Sequence, residues 1–169
     1  MQICETERLT LRQIRLDDAP FFLELLNEPS FLNNIGDKGV RNLDDAHQYL
    51  INGPIASYEK FGFGLYLVEL KDSLMPIGMC GLLKREGLTD PDIGYAFLPR
   101  YWSKGYAIES ADAVMKYGRD ILKLKRIVAI TKPDNHSSIR VLNRLGLRYE
   151  KLVKLPGIEE ECSLFTPGC

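Results

Sequence analysis

Residues 92–111, DIGYAFLPRYWSKGYAIESA, hold the densest chemistry in the chain. A strand ends at Pro99, a short loop carries Ser103, Lys104 and Gly105, and a helix begins through Tyr106 and Ala107. That order aims several free backbone N–H groups at one spot, with the helix dipole behind them. The result is an anion site suited to a phosphate. Gly105 lets the backbone approach a ligand closely, and Lys104 adds charge. An ordinary strand–loop–helix connection has the same outline. Other nucleotide fingerprints fail. The sequence has no G-x-x-x-x-G-K-[ST] run. Gly62-Phe63-Gly64 opens a dinucleotide pattern, but Leu67 stands where its third glycine belongs, and a strand follows instead of a helix.

The elements that must position this loop alternate along the chain. Residues 8–16 suit a strand, and Asp17 suits the N-cap of a helix through Phe22, Leu25 and Leu26 that Pro29 stops. A loop over 30–42 precedes a helical stretch over 43–60, with Asn42 as N-cap and a break or kink at Gly53-Pro54. Residues 63–70 and 76–84 form a hairpin, followed by a strand over 92–98. A long helix over 103–122, a β-branched strand over 125–131 and a helix over 136–145 come next. That last helix has Asn135 as N-cap and Gly146 as C′. Strands near 148–155 and 159–165 close the chain. An early hairpin and a late β-α-β unit imply a mixed sheet, a place where ligands gather at the change in strand pattern.

The 169 residues make about one domain, so 1–169 is read as a single unit. The apolar fraction is 45% and the charged fraction 27%, as in globular proteins. The net charge of −1 hides a split: residues 1–97 carry −6, 98–151 carry +7 and 152–169 carry −2. The asymmetry suggests a localised anion site in an acidic body, or else solvated helix faces. A nucleic-acid partner would show a basic excess overall. Cys4, Cys80, Cys162 and Cys169 form no C-x-x-C pair and neighbour no histidine, which argues against a metal site or a disulfide framework. Reduced thiols suit a cytoplasmic setting. MQICETERLTLR is charged from Glu5 onward, unlike a signal peptide, and no apolar run approaches the ~20 residues of a membrane span.

Trp102-Ser103-Lys104-Gly105-Tyr106-Ala107 resembles the R/Q-x-x-G-x-G/A loop of the GNAT superfamily of N-acetyltransferases, with Trp102 in place of Arg or Gln. The run I-G-Y-x-x-x-P-x-Y-W-x-K-G-Y-A, Ile93 to Ala107, resembles the branch of ribosomal-protein N-terminal (alanine/serine) acetyltransferases. Ser103, often Gly there, costs little if its φ is negative. Asn135 to Leu142 followed by Leu145-Gly146-Leu147 resembles the family's N-x-x-S-x-x-V-L-x-x-L-G-F, and TERLTLRQIRLDDAPFFLEL resembles its first strand and helix. Together the three matches cover nearly the whole chain.

The resemblance implies an α/β (α+β) fold. Its strongly twisted mixed sheet has about seven strands, helices on both faces, and parallel strands 92–98 and 125–131 that splay into a V. It implies acetyl-CoA as acetyl donor, with no metal. The pyrophosphate would lie on Ser103, Lys104, Gly105, Tyr106 and Ala107. The pantetheine arm would lie along Phe97 and Leu98, with Asn135 on the other side. The reaction would be direct attack of an amine on the thioester. Cys80 would then be core, and His47 and His136 form no triad. A Tyr is common one residue after the Val141 position, which is Leu142 here. Ser138 matches the branch's alternative proton donor to the leaving thiolate, or it completes the helix cap. Asp92 is the implied base, with Glu69, Glu159 and Glu160 as rivals. An α-amine of pKa near ~8 is roughly 10% neutral at pH 7 and needs only a modest base. The acceptor would be a protein N-terminal amine or a small amine, walled by residues 30–62, and the acidic body would suit a cationic one. The chain would act as monomer or homodimer. A catalytically silent acyl-CoA-binding or regulatory module is the competing reading.

Overall fold

A computed structural model describes residues 1–168, so Cys169 lies outside it. Eight strands fall into two sheets. The first runs β1 (Gln2–Glu5), β2 (Leu9–Gln13), β3 (Leu65–Leu70), β4 (Pro76–Leu83), β5 (Asp92–Phe97), each antiparallel to the next. The second runs β6 (Ala129–Thr131), β8 (Cys162–Pro167), β7 (Leu147–Val153), again antiparallel. One parallel bridge, Asp92 to Val128, joins them. There Ile93 donates its N–H to Val128 O and Val128 donates to Pro91 O, both at 2.9 Å. Beyond that seam, among the described residues, β5 pairs only with β4, and β6 only with β8. The expected V is therefore present.

Alternation along the strands builds two apolar layers. Tyr66 and Val68 point to the face covered by α5 (Tyr106–Asp120) and α6 (His136–Arg144), with Leu9, Leu82, Phe97, Val114 and Leu142. Leu65 and Leu67 point to the opposite face, against Phe22, Leu26, Phe31 and Leu50. That face is covered by α1 (Ala19–Leu26), α2 (Pro29–Asn34) and α3 (Leu43–Leu50), while α4 (Ala56–Phe61) sends Tyr58 to the first layer, stacked on Tyr66.

Several boundaries differ from expectation. β1 adds an eighth strand from four residues too short to read. β6 begins at Ala129 rather than 125, because Lys125 and Arg126 remain exposed outside the ladder. Pro29 starts α2 instead of only stopping α1, since an N1 position needs no N–H. The segment 30–42 is therefore partly helical. Asp18, not Asp17, takes the first turn, accepting from Arg15 N at 2.7 Å. Asn42 caps α3 as expected, accepting from Asp45 N at 2.8 Å. Gly53-Pro54 does not end the helical stretch. Residues Ile51–Ile55 widen into a π turn that joins α3 to α4, because Pro54 has no N–H for the α ladder.

Candidate active site

The V is lined on one side by the edge of β5. Ile93 N faces β6 and Leu98 N donates to Ile77 O at 3.0 Å on the β4 side. By strand alternation the main-chain groups of Tyr95 and Phe97 face the V. This corrects the expectation for Leu98, whose N–H is taken and whose side chain is fully buried. The Phe97 carbonyl is also engaged: Trp102 Nε1 donates to it at 2.9 Å. Trp102 therefore ties the loop back to the end of β5, a function its place in the sequence did not reveal. The N–H groups of Tyr95 and Phe97 have no partner across the V among the described residues.

The loop before α5 has the geometry of an anion cradle. Gly105 has φ +85° and is the N-cap residue of α5, with no side chain capping the first turn. Ser103 also has a positive φ, +62°, so the condition under which a serine there costs little is not met and this residue holds a left-handed backbone. Lys104 is exposed, and Tyr106 and Ala107 open the helix. Arg8, which sequence reasoning missed, reaches this loop from the turn before β2. Its guanidinium lies 4.4 Å from the Tyr106 ring centre and pairs with Glu109 at 2.8 Å. A Cβ added at Gly105 would meet Arg8 Nη2 at 3.2 Å. Thr6 also donates to Glu109, so this carboxylate is held by Thr6 and Arg8 together.

The opposite wall is the start of α6. Asn135 Oδ1 accepts from Ser138 N at 3.2 Å, which makes Asn135 a helix cap while leaving its Nδ2 without a protein partner among the described residues. Ser138 Oγ lies 3.0 Å from Tyr95 Oη, so two hydroxyls bridge β5 and α6 across the V. Tyr95 is the second residue missed. The alternation of Ile93, Tyr95 and Phe97 places it on this face, but only the fold supplies its partner. Burial pushes Tyr95 up to about 12, against a smaller lowering by the Ser138 hydrogen bond, so it is a neutral hydroxyl at pH 7. Leu142 is core. Cys80 is fully buried, and desolvation drives its thiol up to about 12. It is therefore no nucleophile. His136 is exposed.

Asp92 sits at the seam on the α1–α3 face and is 1% exposed. Both its oxygens accept from Arg85 Nε, at 3.1 and 3.0 Å. Burial raises Asp92 to about 6, and Arg85 opposes the rise. Of its rivals, Glu69 is held by Arg12 at 3.1 Å, and Glu159 and Glu160 are exposed in the loop before β8. On the same face two hollows of about 350 and 330 Å³ share Tyr49, Asn52 and Gly53. Their charged lining is Lys38, Lys60, Lys84 and Asp45. The acidic excess of residues 1–97 is thus not concentrated here.

The chain belongs to the acetyltransferase (GNAT) domain family, whose model matches residues 8–148. It is 32% identical over 149 residues to the uncharacterized N-acetyltransferase YnaD of Bacillus subtilis, covering 88% of this chain and 84% of that protein. An acetyltransferase structure from Agrobacterium tumefaciens superposes with a TM-score of 0.84 at 23% identity, covering 100% of this chain and 95% of the other. RimL, a ribosomal L7/L12 α-N-protein acetyltransferase solved with coenzyme A, superposes with a TM-score of 0.83 at 18% identity, covering 98% and 97%. No helix among the described residues is long and apolar enough to cross a membrane, and they contain no cluster of three or more metal-ligating side chains.

Proposed function

We propose that the protein moves an acetyl group from acetyl-CoA to a primary amine, with a protein N-terminal amine as acceptor. The observation that carries the reading is the V, with unpaired N–H groups on β5, two hydroxyls across it and an uncapped helix terminus at its mouth. These features fit acetyl-CoA in three parts. The uncapped turn of α5, with Ser103, Lys104, Gly105, Tyr106 and Ala107, suits the pyrophosphate. Tyr95 and Phe97 N–H, with Asn135 Nδ2, suit the amide-bearing arm. The thioester supplies the activated acetyl group.

The chain's own residues then have three tasks. A β5 N–H polarises the carbonyl and holds the negative charge that develops on its oxygen. Ser138, hydrogen-bonded to neutral Tyr95, donates a hydrogen bond to the leaving thiolate as the C–S bond breaks, and the proton that the amine nitrogen sheds on acylation passes to that sulfur. Deprotonation of the amine needs little help for an α-amine, of which roughly 10% is already neutral at pH 7. Asp92 is buried beneath Arg85. We assign it the role of positioning Arg85 on the acceptor side, with proton removal through it requiring that Arg85 move.

The test follows free-thiol release from acetyl-CoA with N-terminal peptides, lysine-side-chain peptides and small amines. Turnover with α-amine peptides supports the reading. Tight CoA binding with no turnover on any amine overturns it in favour of a silent acyl-CoA-binding module, the reading that Leu142 in place of Tyr keeps open.

A further inference from the structure

We propose that the acceptor is a peptide whose N-terminal residue is followed closely by acidic side chains, seated in the groove along α3, the π turn and α4. This rests on the N-terminal reading above and adds the charge of the acceptor to it. The two hollows share Tyr49, Asn52 and Gly53 and so form one run, which reaches Leu65, Leu83 and Lys84 at the sheet. Leu83 is the register partner of Asp92, so the groove ends beside the seam where the V begins.

Its charge is one-sided. Lys38 and Lys60 are exposed along it. Lys84 adds to the positive field, although its ammonium is already bound to Leu88 O and Thr89 O. Asp45 is the one carboxylate lining the groove among the described residues, and it accepts from Arg41 N. Asp92 is covered by Arg85 and shows no charge to the surface.

Arg85 gives this end its specificity. It is 34% exposed and touches Asp92 only through Nε. Among the described residues its two terminal nitrogens bond to no protein atom. They form an open fork of the kind that takes a carboxylate with two parallel hydrogen bonds. A polycation entering this groove would meet Lys38 and Lys60, with Arg85 on Asp92 beside its sheet end. An acidic chain would meet complementary charge, with its amine toward the V. The groove is open at the Lys38 end and half-enclosed toward Leu65 and Leu83, and so suits the end of a chain entering along it over a fully enclosed small molecule.

The experiment compares peptides with the same first residue followed by two aspartates, two glycines or two lysines. Thiol release is measured over a range of peptide concentrations. We expect kcat/KM to fall in that order. Each added charge pair should change it up to about fivefold, mainly through KM, and the differences should shrink as salt rises from about 0.05 to 0.5 M. Lys38→Glu and Lys60→Glu, both at exposed positions, should reverse the order. Arg85→Gln should raise KM for the aspartate peptide most. Equal rates for the three peptides, an order unchanged in both Lys→Glu variants, or a preference for polyamines or free amino acids overturns the proposal. Binding of acetyl-CoA without acetylation of any peptide overturns the N-terminal reading itself, and the proposal with it.

Discussion

Two hydroxyls and one carboxylate carry the residue-scale argument. Ser138→Ala should lower kcat at least ~10-fold, and Tyr95→Phe with Ser138→Ala about 10²-fold, with the Kd for CoA little changed. An unchanged kcat in the double variant would remove this pair from the mechanism. Asp92 makes a separate prediction about stability. Its value of about 6 lies above the usual ~3.9, so between these pH values the folded chain holds a proton that the unfolded chain has released. The contribution of Asp92 is therefore most favourable below ~pH 4 and declines as pH rises through 6. Asp92→Asn should match the parent in Tm at pH 4 and exceed it at pH 7.5, measured by thermal unfolding. A lower Tm at pH 7.5 would mean that the Arg85 pair outweighs the cost of burial. Ser138 and Asp92 were legible as positions because they sit in recognisable motifs. Tyr95 was not legible as a partner, because a hydroxyl pair separated by 43 residues exists only after β5 and α6 are packed. The sign of φ at Ser103 likewise leaves no mark in residue type.

At the scale of elements, the loop before α5 depends on a support outside its own motif. Gly105→Ala would hold a Cβ at φ +85° and press it on Arg8, at a cost of about 1–2 kcal/mol for the backbone alone. The KM for acetyl-CoA should rise with kcat less affected. Arg8→Ala acts from the other side. It removes the cation paired with Glu109, in the first turn of α5, and leaves that carboxylate held only by Thr6 and the main chain of residue 8, its charge unbalanced near a helix terminus suited to phosphate. Its KM for acetyl-CoA should rise as well, and Arg8→Lys should restore part of the loss. Kinetics at varied acetyl-CoA check both, and an unaltered KM in both variants would detach this support from cofactor binding. The loop and both flanking elements could be read from Pro99, Gly105 and the helical pattern that follows. The π turn could not. Gly53-Pro54 signals a break, but whether the chain turns away or widens for one turn depends on how α3 and α4 pack, Leu50 in one layer and Tyr58 in the other.

For the molecule as a whole, the charge split was a poor map. Of the basic residues in 98–151, Arg126 pairs with Asp90 and Glu150, and Lys132 donates to Asn33 O. Arg119 lies at the far end of the 15-residue α5 from the cradle, about 20 Å away at 1.5 Å per residue. Sequence sums count charges without their partners, and here the partners lie on distant segments. The order of strands was the better guide, because an early hairpin run and a late crossover leave few ways to arrange one sheet beside another. The narrow seam at Pro91, Ile93 and Val128 also has a consequence for cooperativity. Among the described residues, main-chain bonding between the two sheets is confined to that point, so β6, β7 and β8 should open as a unit of lower free energy than β3 and β4. Native-state hydrogen exchange would register this as two classes of amides. With CoA present, the faster class should slow toward the other and the two unfolding units should merge into one.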